Sequence, residues 1–268
     1  MRLYLTIFLC YLAYVPSSAQ RTIGSIPLPD SACTRVIPGE NSFGAWLINL
    51  SLMPAGSPVL DYRKRIYKSD EDTTIAAVVD MDISGRRLEQ CMDILIRLYA
   101  QYLWDNDRSG ELNLPLPGGY WLAWKDWKIG IRPVFKGIKV SYKKSAVRDD
   151  SFSQFEAYLR NIYAESHTQQ FYHQYTPVQP ENVQIGDFFV LKGSKSHAVM
   201  VVDLMITPAG AKYALIGHGD TPACQFHLLN LRKSQPWIPL NPNTHHLPLP
   251  IRRKMTWDGL RRFSQEGK

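Results

Sequence analysis

"IGDFFVLKGSKSHAVMVVDL", Ile185–Leu204, is the stretch whose reading decides the fold. Two apolar, β-branched runs flank a polar turn, Gly193–Ser196, which predicts a β-hairpin. The second run is apolar on both faces. Period-two geometry sets His197, Val199, Val201 and Asp203 on one side and Ala198, Met200 and Val202 on the other. A strand with two apolar faces is a central strand. His197 opens it, at the rim of the sheet, where a semi-buried imidazole suits a general base. A turn at Pro208–Lys212 then leads into a predicted strand, Tyr213–His218, inside "YALIGHGD". Running antiparallel, that strand brings His218 near His197, and Gly217 and Gly219 allow close approach. A polar group there can fix the tautomer of His197, the orienting role of a third catalytic member.

Outward from the hairpin, helices come before the run of strands. A short helix follows Ser42, with Phe43, Trp46, Leu47 and Leu50 at helical spacing. Thr73–Ile83 reads as a strand that puts Asp80 and Asp82 on one face. Arg86–Trp104 reads as the clearest helix, with Leu88, Met92, Leu95, Tyr99 and Tyr102 as its stripe. Tyr120–Phe135 reads as extended and Lys136–Tyr142 as a strand. Ser151 and Gln154 have capping-box spacing ahead of a second helix. Cys224–Leu231 reads as a further strand, and Thr256 as the cap of a last short helix. Helices first and neighbouring strands later predict an α+β fold rather than a parallel βαβ sheet.

The N-terminus differs from the rest. Arg2 precedes an apolar run, Leu3–Val15, then Pro16 and the small pair Ser17 and Ala19. That pattern is a secretory signal peptide cut after Ala19, and the run is too short to span a bilayer comfortably. The expected mature chain is one domain, 20–268, in the periplasm or outside the cell. Arg2 is the only charge removed, so the +7 of the full chain becomes +6. A basic exported protein favours anionic partners such as envelope polymers. The charge reads as spread along the chain, apart from Ile251–Lys254 and Arg261–Arg262, which read as a solvated helical face. No motif supports nucleic-acid binding.

Three cysteines remain after export: Cys33, Cys91 and Cys224. An odd number in an oxidising compartment leaves at least one unpaired or paired with another chain. Cys33 and Cys224 are the candidate disulfide, which leaves Cys91 free. Two readings of Cys91 stand. A helix beginning at Arg86 puts it in the second turn, as a structural residue beside Leu88 and Met92. A loop over "SGRRLEQ" moves it to the helix start, where the N-terminus favours its thiolate. Three further readings stand beside these. His197, His218, Asp220 and His227 are possible zinc ligands, but no HExxH or paired-cysteine spacing supports a metal. His245 and His246 lie in a proline-rich loop and read as solvated. Trp121, Trp124 and Trp127, spaced by three, suit either packing or carbohydrate stacking in a non-catalytic envelope module.

Cysteine on a helix, then a "GDFFV…HAVMVVD" hairpin, then a polar residue ending the next strand resembles the papain-like cysteine hydrolases. Among these, the pattern most resembles the NlpC-type and amidase-type cell-wall branches. More closely, the chain resembles domain-of-unknown-function family 4846, exported proteins mostly of Bacteroidetes. The matching stretches are "FGAWLINLSLMPAGSPV" (Phe43–Val59), "VVDMDIS" (Val78–Ser84), "QCMDILIRLYAQYLW" (Gln90–Trp104), "GDFFVLKGSKSHAVMVVD" (Gly186–Asp203) and "CQFHLLNL" (Cys224–Leu231). The resemblance implies a papain-like α+β domain with an N-terminal extension, its Cys helix packed on an antiparallel sheet. It implies Cys91 as nucleophile, His197 as base and His218 as orienting residue, with no cofactor. Where relatives tend to carry glutamine this chain has His218, and either type can be the third member. Gln90 and the Cys91 backbone N–H are candidates for an oxyanion hole, and Asp220 is a fallback third member. Cys33 and Cys224 stand outside the family pattern, which favours their pairing. The implied activity is hydrolysis of an amide bond in a peptide or cell-wall polymer.

Overall fold

The computed structural model describes residues 20–83, 87–193 and 195–263. The apolar leader and the Ser84–Gly85 strand end lie outside the described residues. In chain order the first elements are β1 (Thr34–Arg35), α1 (Phe43–Ile48), β2 (Val59–Leu60), β3 (Ile66–Lys68), β4 (Ile75–Val78) and α2 (Cys91–Asp105). The middle holds β5 (Asn113–Pro115), β6 (Trp121–Ala123), α3 (Trp124–Trp127), β7 (Ile131–Lys136), β8 (Lys139–Lys144), α4 (Phe152–Glu165) and α5 (Thr168–Gln174). Strands close the chain: β9 (Phe188–Val190), β10 (Ala198–Ile206), β11 (Lys212–His218), β12 (His227–Leu229), β13 (Ile238–Pro239) and β14 (Leu260–Arg261). Among the described residues, no helix is long and apolar enough to cross a membrane.

The main sheet runs β14-β9-β10-β11-β12-β4, with β1 also on β10 and β13 also on β11. Every pairing in it is antiparallel, so the fold is α+β. The predicted hairpin forms as β9 and β10, with Val199 opposite Phe189. Both faces of β10 are buried. Ala198, Met200 and Val202 pack with Ile94, Leu95 and Leu98 of α2. Val199, Val201 and Leu204 face the C-terminal chain, among Leu247, Met255 and Leu260. Burial on both sides explains a strand with no polar alternation.

A bulge between Val201 and Asp203 changes the predicted facing of Asp203. Asp203 lies opposite Leu215, which packs on the helix side, whereas Leu204 takes the side of Val199 and Val201. The extra residue inverts the alternation from that point on. Asp203 is fully buried, pairs with the Arg35 guanidinium and accepts the Leu204 N–H at 2.8 Å.

Several elements differ from the sequence reading. The long helix begins at Cys91, not Arg86. Gln90 is its extended N-cap, and the Asp93 carboxylate accepts the Gln90 N–H at 3.1 Å. This return contact ends the helix there. The strand predicted over Thr73–Ile83 is confined to β4, and Asp82 beyond it is exposed and paired with Lys64. The predicted strand Lys136–Tyr142 is broken at its second residue by a turn at Gly137–Ile138, which joins β7 to β8. Trp124 and Trp127 are core residues, packed on Phe155 and Tyr158, so they offer no stacking surface. Ser151 caps α4 as expected, accepting the Gln154 N–H. Beyond Thr256 a single 3-10 turn leads into β14 rather than a helix.

The candidate disulfide is not formed: Cys33 and Cys224 are both free thiols. Cys33 precedes β1, which pairs with the Met205–Ile206 end of β10. Cys224 packs with Val59 and Val78, just before β12, whose His227 lies opposite His218. The two thiols therefore sit by opposite ends of the central strands, beyond the reach of one S–S bond.

Candidate functional site

The register of three neighbouring strands gathers three histidines. His197 immediately precedes β10, and its carbonyl accepts the Leu191 N–H at 2.8 Å, closing the hairpin. His218 ends β11, and His227 begins β12 directly opposite it. The His197 Nε2 and His218 Nδ1 atoms are 2.9 Å apart. The His218 and His227 rings are 4.6 Å apart, centre to centre. All three are buried. The glycines beside His218 are needed for this packing. A Cβ on Gly217 would meet Phe226 at 2.4 Å, and one on Gly219 would meet Ile94 of α2 at 2.9 Å.

Cys91 is the first residue of α2, so its N–H has no acceptor within the helix. Its thiol lies by the backbone of Ala198, the residue after His197, whose amide favours the thiolate. The structure thus brings Cys91, His197 and His218 to one end of the sheet. The Cys91 side chain is nonetheless covered, with 6% of the residue exposed. Burial pushes its thiol up to about 11 against the helping Ala198 N–H. Burial also lowers His197 to about 4, with Asp220 opposing and Arg253 reinforcing. His218 is held well below its ordinary value by burial, then by His227 and His197. At neutral pH the resting groups are a thiol and neutral imidazoles.

Hydrogen-bond chemistry constrains the tautomers. His227 Nδ1 lies 2.8 Å from the Gln225 carbonyl oxygen, which only accepts, so Nδ1 carries the proton. His227 Nε2 then presents a lone pair. His218 Nε2 and His227 Nε2 are both buried without a hydrogen-bond partner among the described residues.

His197 and His218 form the floor of a cleft of about 460 Å³. Lys68 of β3 stands on one wall and Arg252 and Arg253 on another, with Asp220 and Thr221 at the rim. Asp220 accepts the Tyr67 hydroxyl at 2.8 Å, and this carboxylate and burial together raise the Tyr67 phenol. Gln90 does not donate into the cleft. Its Oε1 accepts the Thr221 hydroxyl at 2.9 Å, tying the start of α2 to the loop after β11. The sequence reading missed Arg252 and Arg253 as cleft residues. They lie on a loop that the C-terminal chain folds back beside His197, and only the basic "RRK" run hinted at them. Among the described residues, no three His, Cys, Asp or Glu side chains converge as a metal-binding set. His245 is exposed, as read, and His246 pairs through an isolated bridge with Thr256.

A helix that starts on a cysteine, set against an antiparallel sheet whose central strands carry paired histidines at one end, defines the class: an α+β protein with buried histidines under a cleft that Lys68, Arg252 and Arg253 share with Asp72 and Asp220. The chain belongs to the family described as Domain of unknown function (4846), whose model matches residues 25–257. Comparison with curated proteins and with solved structures finds no match.

Proposed function

We propose that the protein is an exported cysteine hydrolase with a papain-like, NlpC-type arrangement, acting on an amide bond in a peptide or cell-envelope polymer. One observation supports this reading: His197 Nε2 and His218 Nδ1 are 2.9 Å apart, and the backbone of Ala198, the residue after His197, lies by the Cys91 thiol at the start of α2.

The roles follow from the atoms. His197 Nε2–H donates to His218 Nδ1, which leaves a lone pair on His197 Nδ1. That atom takes the Cys91 proton as sulfur attacks the substrate carbonyl carbon. The oxyanion is met by the Cys91 N–H at the positive end of α2. Collapse expels the amine, which takes the proton from His197, and leaves a thioester. Water then adds, giving its proton to His197, and the acid departs as the proton returns to sulfur. The thiol near 11 and the imidazole near 4 do not form an ion pair at rest. Proton transfer is therefore coupled to attack rather than completed before it.

Labelling with a small thiol electrophile tests this. Cys91 is expected to be labelled in the native protein, and His197→Ala to slow that labelling at least tenfold, the low end of a general base's contribution. Cys224, also buried and pushed up to about 12 by burial, is the internal control and keeps its rate. Equal labelling of Cys91 with and without His197, in variants that unfold at the same temperature, overturns the reading.

A further inference from the structure

The positive charge is not evenly dispersed: one segment of the chain concentrates it. Residues 125–144 hold six lysines and Arg132 against Asp126 alone, nearly the whole +7 excess of the chain. Most of them lie on the β7–β8 hairpin, which pairs only with itself.

The register sorts the hairpin into two faces. Phe135 lies opposite Val140 and Pro133 opposite Tyr142. That face is anchored to the body: Val140 is buried, Phe135 packs on the core, and the Tyr142 hydroxyl donates to the Trp121 carbonyl at 2.6 Å. The other face sets Lys136 opposite Lys139 and Arg132 opposite Lys143, with exposed Val134 between them. Arg132 leans inward over Trp127, but the three lysines are exposed and form no ion pair among the described residues. Like charges directly opposite in a two-stranded ribbon destabilise it. At the turn, Gly137 takes φ +62 and Ile138 follows with 74% of its surface exposed. Six of the eight large exposed apolar residues among those described fall between 129 and 152.

We infer that this hairpin is a docking surface for an anionic phospholipid bilayer. The lysine face matches the negative surface charge, and the apolar tip at Ile138 enters the interfacial layer, which a soluble polyanion does not offer. The inference is independent of the cysteine chemistry, since none of its residues lines the cleft.

The test is vesicle co-sedimentation of the described chain, without the apolar leader, on phosphatidylcholine vesicles with and without phosphatidylglycerol. Binding is expected only with the anionic lipid and weakens as salt rises. Replacing Lys136, Lys139 and Lys143 together by Gln is expected to weaken it about a hundredfold, roughly fivefold for each lysine. Ile138→Ser is expected to weaken it about tenfold through lost apolar burial. Both variants change exposed residues only, so an unfolding temperature no lower than that of the native chain certifies the comparison. The inference is overturned by absence of vesicle binding in the native chain, by equal binding of either variant, or by binding to DNA or heparin without binding to vesicles.

Discussion

Strand β10 carries a buried polar group at each end, and the two are treated differently. At its far end Asp203 is paired by Arg35 and bonded by the Leu204 N–H, while Arg35 also donates to the Ile26 carbonyl and lies over Trp237. At its start His197 meets His218, but the outer nitrogens of His218 and His227 are left without partners and a cleft opens above. The lesson lies in satisfaction. Buried polar groups that are fully bonded hold structure, whereas the same burial with bonds left open marks a place where protons can move.

The strongest way to break this contrast is at the Asp203 end. Arg35→Met leaves a buried carboxylate without its cation and is expected to cost about 3–5 kcal/mol in denaturant unfolding. Burial already raises the Asp203 carboxyl to about 6, so the charge is held at a cost. Asp203→Asn removes that charge and leaves Arg35 partly solvated, and it is expected to cost clearly less than Arg35→Met. Equal costs would mean that Asp203 contributes by shape rather than by charge.

The next largest effect separates the two ends by pH. His197 and His227 fall from an ordinary 6.5 to about 4 when folded, chiefly by burial. A lowered base is protonated more readily in the unfolded chain. The stability these histidines contribute is therefore full above 6.5 and is lost as pH falls toward 4, on the order of 3 kcal/mol for each by linkage. Asp203 runs the other way: its raised pKa contributes stability below the ordinary 3.8 that is lost as pH rises through about 6. Thermal unfolding between pH 4 and 6.5 is expected to show a net loss on acidification, steeper in Asp203→Asn, where the opposing contribution is gone. A flat profile would place the histidines in wetter surroundings.

Smaller still is the effect of His218. His218→Ala is expected to slow Cys91 labelling about tenfold, because it frees the tautomer of His197, and to lower the unfolding temperature, because it empties a buried site. Activity on any amide substrate found is expected to keep its acid limb near pH 4 rather than 6.5, following His197.

How much of this was legible before the structure depended on the range of the interactions involved. The β9–β10 hairpin, the Ser42 and Ser151 caps and the approach of His218 to His197 follow from local pattern and strand pairing. The start of α2 was left open because it depends on one return contact, Asp93 to the Gln90 N–H. The facing of Asp203 was misread because a bulge carries no mark in an unbroken β-branched run. The Lys136–Tyr142 strand hid its own turn, since Gly137 is the single residue that signals it. Neither the Cys33–Cys224 pairing nor the cleft role of Arg253 could be judged from spacing, because each joins parts of the chain far apart in sequence. His227 was weighed only as a zinc ligand. Its placement opposite His218 is a matter of strand register.

That register makes His227 the finest probe of the contrast. The Gln225 carbonyl holds the proton on His227 Nδ1, so Nε2 carries a lone pair, and the His218 ring lies 4.6 Å away, centre to centre. A lone pair there favours the His218 tautomer protonated on Nε2, whose bare Nδ1 accepts from His197 Nε2–H. In the proposed hydrolase each ring would bias the tautomer of the next, ending at the His197 nitrogen assigned there as base. His227→Phe keeps a ring of similar volume and removes the lone pair. The expected result is about a threefold slower labelling of Cys91, near 0.6 kcal/mol, together with a shift of the His218 nitrogen resonances toward the other tautomer. The unfolding temperature should change little, since the lost Nδ1–H bond to the Gln225 carbonyl is offset by replacing the unpartnered Nε2 with carbon. A slower rate with unmoved His218 resonances would assign His227 to packing alone, and unmoved values of both would confine the proton chain to His197 and His218.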